Sequence, residues 1–278
     1  TVRPLDRHTL LTFTRMLTRE TFRQRFGNNA VFGMVHLRAL PGAPLFGGSI
    51  DEVIEAAVRD ARAIGEGGAD GLVVENFGDK PFFATRVPAE TIAAMTRVVS
   101  EIARVFTKPV GVNVLRNDAH AALAVAAATG AAFIRVNILT GAMLTDQGVI
   151  QGAAADVLRV RAAIAPSVAI FADHLVKHAA PLAPYDPVQA AKDLRQRGLA
   201  DALITSGLET GAPADPDRLR MLRDTVTDAP ILIGSGITAE SAGEFADADG
   251  VIVGTSLKSA DAVVDPKRVA AIVRAFRR

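Results

Sequence analysis

Polar residues stand where short apolar runs end, and their types define the chemistry open to this chain. His36 closes the run Val31–His36, and Glu75 with Asn76 closes Gly71–Glu75. Asn113 lies in Val110–Val114, with Arg116, Asn117 and Asp118 behind it. Arg135 and Asn137 lie in Phe133–Asn137. Asp173 and His174 end the run from Val168, with Lys177 and His178 close behind, and Thr205, Ser206 and Glu209 follow Ala202. A polar group buried in such a run costs free energy unless a partner or ligand satisfies it. Gathered at one mouth, two carboxylates, an imidazole and an amine supply acid–base chemistry. Asp173 is the favoured base or cation stabiliser, and Glu75 is the second carboxylate. His36 and His178 are further proton carriers. Lys177 can neutralise a leaving group or oxyanion, or act as a Schiff-base amine if desolvated. Asn113, Arg135, Asn137 and Ser206 suit recognition of hydroxyl or carbonyl groups.

Each residue also has a purely structural reading. Arg135 can pair with Glu75 inside the protein, His36 can be a satisfied core histidine, and Lys177 and His178 can be surface loop residues. His36, Glu75, Asp173 and His174 carry metal-ligating atoms, but their spacing matches no metal motif, so no metal is expected. Nothing in the sequence calls for a cofactor.

A second constellation is made of glycines. Ile233-Gly234-Ser235-Gly236-Ile237-Thr238 and Val253-Gly254-Thr255-Ser256-Leu257-Lys258 each end an apolar run. Glycine lets backbone N–H groups approach an anion, and a helix start adds free donors and partial positive charge. Gly234, Ser235, Gly236, Gly254, Thr255 and Ser256 are therefore candidate phosphate ligands. Tight turns need glycine for steric reasons too, and Lys258 reads equally as a phosphate contact or a solvated residue.

The elements that must position these residues form a pattern. Eight apolar runs recur, adding Ile231–Gly234 and Val251–Gly254 to those above, and most are continuously apolar, as in strands covered on both faces. Helix starts are signalled by Ser49 with Glu52, and by Asp186-Pro187, Asp215-Pro216 and Asp265-Pro266. A quasi-repeat precedes several runs: Gly68-Ala69-Asp70-Gly71, Gly130-Ala131-Ala132, Ala200-Asp201-Ala202 and Ala248-Asp249-Gly250. The pattern predicts one α/β domain over residues 1–278, a (β/α)8 TIM barrel from 31 to 278 behind an N-terminal helical extension, 1–30. Long loops are expected after the first, second, fourth and fifth strands. In the extension Leu10, Phe13 and Leu17 share one helical face and Arg15, Arg19 and Arg23 another. Such a helix can cap the barrel floor, meet a partner subunit or rest on anionic lipid.

Lys and Arg total 31 against 30 Asp and Glu, and no basic run appears, so nucleic acid is not an expected partner. The absence of cysteine removes disulfides and thiolate chemistry and fits a reducing cytoplasm. No secretory signal or membrane-spanning run is seen, and peripheral membrane contact would rest on the extension alone. A homo-oligomer is compatible with the fold.

Ordered segments also resemble one family. They are Gly33-Met34-Val35-His36-Leu37 with Leu40-Pro41-Gly42, Val74-Glu75-Asn76-Phe77-Gly78-Asp79, and Val110-Gly111-Val112-Asn113-Val114-Leu115-Arg116-Asn117-Asp118. Ile134-Arg135-Val136-Asn137, Thr145-Asp146-Gln147-Gly148, Val176-Lys177-His178-Ala179 and the two glycine turns continue the series. Together they resemble the BtpA/SgcQ family from about Gly33 to Lys258. The resemblance implies a ribulose-phosphate-binding type of barrel. The family takes its name from a protein required for stable photosystem I, yet it also occurs in organisms without photosynthesis, including a sugar-operon member proposed to be a nucleosidase. His174 departs from the family's segment and is left out of the catalytic set. Two functional readings stand: an enzyme acting on a phosphorylated sugar or nucleotide, by N-glycosidic cleavage or by isomerase or lyase chemistry, and a non-catalytic assembly factor for a membrane complex.

Overall fold

The computed structural model describes residues 16–207 and 215–277. Its strands are β1 (Ala30–His36), β2 (Gly71–Glu75), β3 (Val110–Asn113), β4 (Phe133–Val136), β5 (Ala142–Thr145), β6 (Gly148–Gln151), β7 (Ala169–His174), β8 (Ala179–Pro181), β9 (Ala202–Thr205), β10 (Ile231–Ile233) and β11 (Gly250–Val253). Eight of them close a parallel barrel in the order β1-β2-β3-β4-β7-β9-β10-β11. These are the eight apolar runs. Except for His36, every residue in them is buried, because helices cover the outside and side chains fill the inside.

The helices are α1 (Arg19–Phe26), α2 (Ile50–Glu66), α3 (Ala89–Val105), α4 (Ala119–Thr129), α5 (Ala154–Ile164), α6 (Pro187–Lys192), α7 (Pro216–Thr225) and α8 (Pro266–Phe276). Asp186, Asp215 and Asp265 cap α6, α7 and α8, each ahead of a proline in the first turn. Ser49 Oγ accepts the Glu52 N–H at the start of α2. The expected helix after β10 is only a 3-10 turn, Ala242–Phe245. The connection there is short, and Gly243 within it disfavours helix.

The repeated aspartates stitch the barrel floor. Asp70, Asp201 and Asp249 accept the backbone N–H of Val31, Ile170 and Ile231, each beginning a neighbouring strand. Arginines neutralise them: Arg277 on Asp70, Arg161 on Asp201, and Arg19 and Arg223 on Asp249.

Three phenylalanines, Phe32, Phe133 and Phe171, pack inside the lower barrel, the last two stacked with centroids 4.3 Å apart. Gly111 makes room, since a Cβ there would lie 2.3 Å from the Phe133 ring. The floor is sealed by α1, whose Phe26 lies 5.4–5.8 Å from all three rings and whose Phe22 meets Phe171 at 5.9 Å. The described helix starts only at Arg19, with Thr18 as its cap, and Leu17 lies ahead of it, packed on the interior cluster. Arg19 and Arg23, expected on a basic face, lie 3.0 and 3.7 Å from Asp249. Leu10, Phe13 and Arg15 lie outside the described residues, as does Glu209.

At the opposite end, two of the long loops fold together. β5 and β6 form a hairpin, and β8 adds to β5 as a third antiparallel strand. Met143 and Ile150 from this sheet bury themselves against Ile138 and Val176, fixing it over the mouth.

Candidate active site

Side chains alternate across a strand, so an inward residue at the bottom of a barrel strand predicts an inward residue two places on. Phe32 and Met34 point inward on β1, hence His36; Val73 on β2, hence Glu75; Phe133 on β4, hence Arg135 and then Asn137; Phe171 on β7, hence Asp173. His36, Glu75 and Asn113 are register partners across β1, β2 and β3. The opposite parity turns His174 outward, where its Nε2 meets the Pro187 carbonyl at 2.9 Å.

Above the phenylalanine layer opens a cavity of about 940 Å³. Of the residues singled out in the sequence, His36, Glu75, Arg135, Asn137, Lys177 and His178 line it, together with both glycine turns, Gly234 to Gly236 and Gly254 to Ser256. Asp173, Asn113 and Ser206 do not. Arg135 sets Nη2 on Asp173 Oδ1 at 2.9 Å and Nε on Oδ2 at 3.2 Å, and Asn137 Nδ2 donates to Oδ2 at 2.7 Å. The carboxylate thus accepts three hydrogen bonds and is turned away from this cavity, holding Arg135 in place instead of facing the space as the expected base. The expected Arg135–Glu75 pair is absent for the same reason. Asn113 Nδ2 donates to Asn137 Oδ1 and the Arg135 carbonyl, both at 3.2 Å, extending the scaffold. Ser206 packs behind Gly234, where a Cβ would lie 2.6 Å from its hydroxyl oxygen.

Glu75 is the carboxyl group facing the cavity from the strands. Its Oε1 lies 3.7 Å from His36 Nε2, and burial pushes its pKa above the usual range against the pull of Arg135 and Lys177. Burial, reinforced by Lys258, Lys177 and Arg135, pushes His36 down to about 3, so the imidazole is neutral. His36 Nδ1 lies 3.2 Å from Lys258 Nζ, which fixes Nδ1 as acceptor and leaves the proton on Nε2, toward Glu75. Phe77 stacks on the imidazole at 4.6 Å, and Lys80 lies over the far side of Phe77, 4.2 Å from the ring centroid.

The amine of Lys177 also lines the wall. Burial, then the nearby Arg135 charge, lowers its pKa to about 8. Its loop is pinned by Arg116, which donates to the Lys177 carbonyl at 2.6 Å. The sequence gives Arg116 no role of its own and reads Lys258 as a phosphate contact or a solvated residue; nothing in their spacing marks them as the anchors of Lys177 and His36.

In the glycine turns, among the described residues, the N–H groups of Gly236, Thr255 and Ser256 have no hydrogen-bond acceptor. Gly236 adopts φ +74°, a left-handed conformation that favours glycine. Ser256 Oγ donates to the Ile237 carbonyl at 2.6 Å, tying the two turns together rather than offering a free donor. Ser235 Oγ accepts the Gly207 N–H at 3.2 Å, leaving its own proton for another acceptor.

A closed eight-stranded parallel barrel with its polar cluster at the carboxyl ends of the strands defines a TIM-barrel fold. Thiamine phosphate pyrophosphorylase from Pyrococcus furiosus superposes with a TM-score of 0.56 at 15% identity, over 89% of this chain and 95% of that one. The chain belongs to the BtpA family, whose profile spans residues 27–278. It is 46% identical to the photosystem I biogenesis protein BtpA of Synechocystis over 90% of this chain and 88% of that protein. It is also 42% identical to an uncharacterized protein of Pyrococcus furiosus, over 87% and 91%. No helix among the described residues is long and apolar enough to cross a membrane.

Proposed function

We propose that this chain is an enzyme acting on a phosphorylated sugar or nucleotide. One observation carries the reading: a single cavity joins two turns with unclaimed backbone N–H groups to a buried acid, imidazole and amine. The phosphate sits against Gly234–Gly236 and Gly254–Ser256, where such barrels commonly hold one. The reacting carbon then lies near Glu75 and Lys177. Glu75, whose carboxyl pKa is raised by burial, is the proton donor, and His36 stands beside it. Arg135, fixed by Asp173, and Asn137 bind substrate oxygens. These parts serve glycosidic cleavage and sugar-phosphate isomerase or lyase chemistry alike, since each needs an acid at a departing or migrating oxygen. The site lies open to small molecules rather than to nucleic acid.

A thermal-shift screen with sugar phosphates, nucleotides and inorganic phosphate tests the reading. A compound at a hundred times its dissociation constant adds about 2.7 kcal/mol. Stabilisation should vanish in Thr255→Glu, which places a carboxylate at the anion's seat on an exposed position. If no phosphorylated compound stabilises the protein, the reading fails.

The name of the Synechocystis relative supports a second reading, a scaffold for assembling a membrane complex. Because Phe22 and Phe26 seal the barrel, its test is removal of residues 1–15 alone, which should abolish docking and leave ligand binding intact.

A further inference from the structure

Two amines line the cavity, and while Lys80 sits over the Phe77 ring, Lys177 has no such partner. Asp173 is the natural partner for a lysine on this wall, yet both its oxygens are taken by Arg135 and Asn137. Among the described residues, no carboxylate lies within ion-pair distance of Lys177. A solvated lysine would need no such arrangement, but this one is half-buried and still faces the cavity. The loop around it is also held in place. Leu175 and His178 have φ of +60° and +53°, a conformation that side-chain-bearing residues rarely adopt, and Arg116 clasps the carbonyl of Lys177 from beneath. Glu75 lines the same cavity, near enough for its charge to act on Lys177 but with no ion pair between them. An unpaired amine held beside a buried acid is the arrangement that imine formation requires.

We infer that Lys177 forms a Schiff base with the carbonyl group of a phosphorylated aldehyde or ketone, with Glu75 as its acid. The inference rests on the phosphate reading above and narrows its substrate class to aldose and ketose phosphates in their open-chain form. In the first step the neutral amine attacks the carbonyl carbon as the C=O π bond breaks, and the proton shed by the nitrogen passes to the oxygen to give the neutral carbinolamine. In the second, Glu75 delivers a proton to that hydroxyl, which leaves as water while the nitrogen lone pair forms the C=N bond. The iminium then draws electrons from the adjacent carbon, so that a neighbouring C–H or C–C bond can break heterolytically. No oxidant or reductant is consumed. The depressed pKa of Lys177 supplies a substantial fraction of free amine near neutrality, where an ordinary lysine is almost wholly protonated.

Reductive trapping tests this. The full chain is incubated with glyceraldehyde 3-phosphate, ribose 5-phosphate or ribulose 5-phosphate, treated with sodium borohydride, and mapped by peptide mass spectrometry. Borohydride converts the imine to a secondary amine, so the modified peptide gains the mass of the sugar phosphate less one oxygen. At least one probe should label Lys177 more than tenfold faster than any other lysine, and inorganic phosphate should suppress that labelling. Lys177→Met should lose the label while retaining the thermal shift given by the same probe, which separates loss of the nucleophile from loss of the fold. Labelling spread evenly over surface lysines, or none at Lys177 while the probes still stabilise the protein, overturns the Schiff base and leaves the phosphate site standing. Neither labelling nor stabilisation overturns both.

Discussion

Arg135 grips both oxygens of Asp173 while each side chain is almost wholly buried, 5% and 1% exposed. Removing one partner of such a pair strands the other charge out of water. Asp173→Ala should therefore cost about 3–5 kcal/mol of stability, read from urea unfolding. A variant as stable as the parent would show that the pair does not hold the upper barrel.

The floor predicts a loss of similar size by a different cause. Phe26 touches three interior rings, and Phe26→Ala leaves a void that the rigid barrel cannot collapse to fill. The expected cost is about 3–5 kcal/mol, again by urea unfolding.

Acid should weaken the fold partly through His36. In the folded protein it stays neutral down to about 3, whereas an unfolded chain protonates it near 6.5. Between those values the unfolded state binds the extra proton. The contribution is full above pH 6.5 and is lost as pH falls toward 3. His36→Gln should flatten the stability profile across that window, as measured by thermal melts at stepped pH.

Lys177 acts in the alkaline range with the same sign. Its folded pKa of about 8 lies below the ordinary lysine value of 10.5, so the unfolded state holds more protons in between and stability rises with pH there. Lys177→Met should be more stable than the parent below pH 8, and the gap should close as pH approaches 10.5. A gap that does not change with pH would mean that the amine is not desolvated.

Gly234 joins stability to binding. A Cβ there would lie 2.5 Å from the Ile204 side chain and 2.6 Å from Ser206 Oγ, so Gly234→Ala must push the turn outward. Overpacking of this kind costs about 1–3 kcal/mol. Calorimetry with the best sugar phosphate should show affinity falling by more than tenfold if this turn holds the anion.

The barrel was legible because its strands are covered on both faces and so read as unbroken apolar runs, and because polar residues at their ends follow the inward parity. That made His36, Glu75, Arg135 and Asn137 readable as mouth residues. Which polar groups would satisfy one another was not legible. The Arg135–Asp173 clamp joins residues 38 apart in sequence and depends on side-chain reach, not on pattern. In the extension, a helix capping the barrel floor was legible, and Leu17 does pack on the interior cluster. That Phe22 and Phe26 supply the sealing rings was not, since the periodicity singles out Leu10, Phe13 and Leu17, the first two of which lie outside the described residues. The three-stranded cover over the mouth was read only as loop, since its strands are four residues or fewer and gain stability from packing on Ile138 and Val176.

The ring-filled floor has a kinetic consequence. With the amino-terminal end stoppered by α1, the cavity is a blind-ended vessel: whatever enters must leave by the same doorway, past the same cover. The two products of any reaction that splits one molecule would have to leave through that one opening.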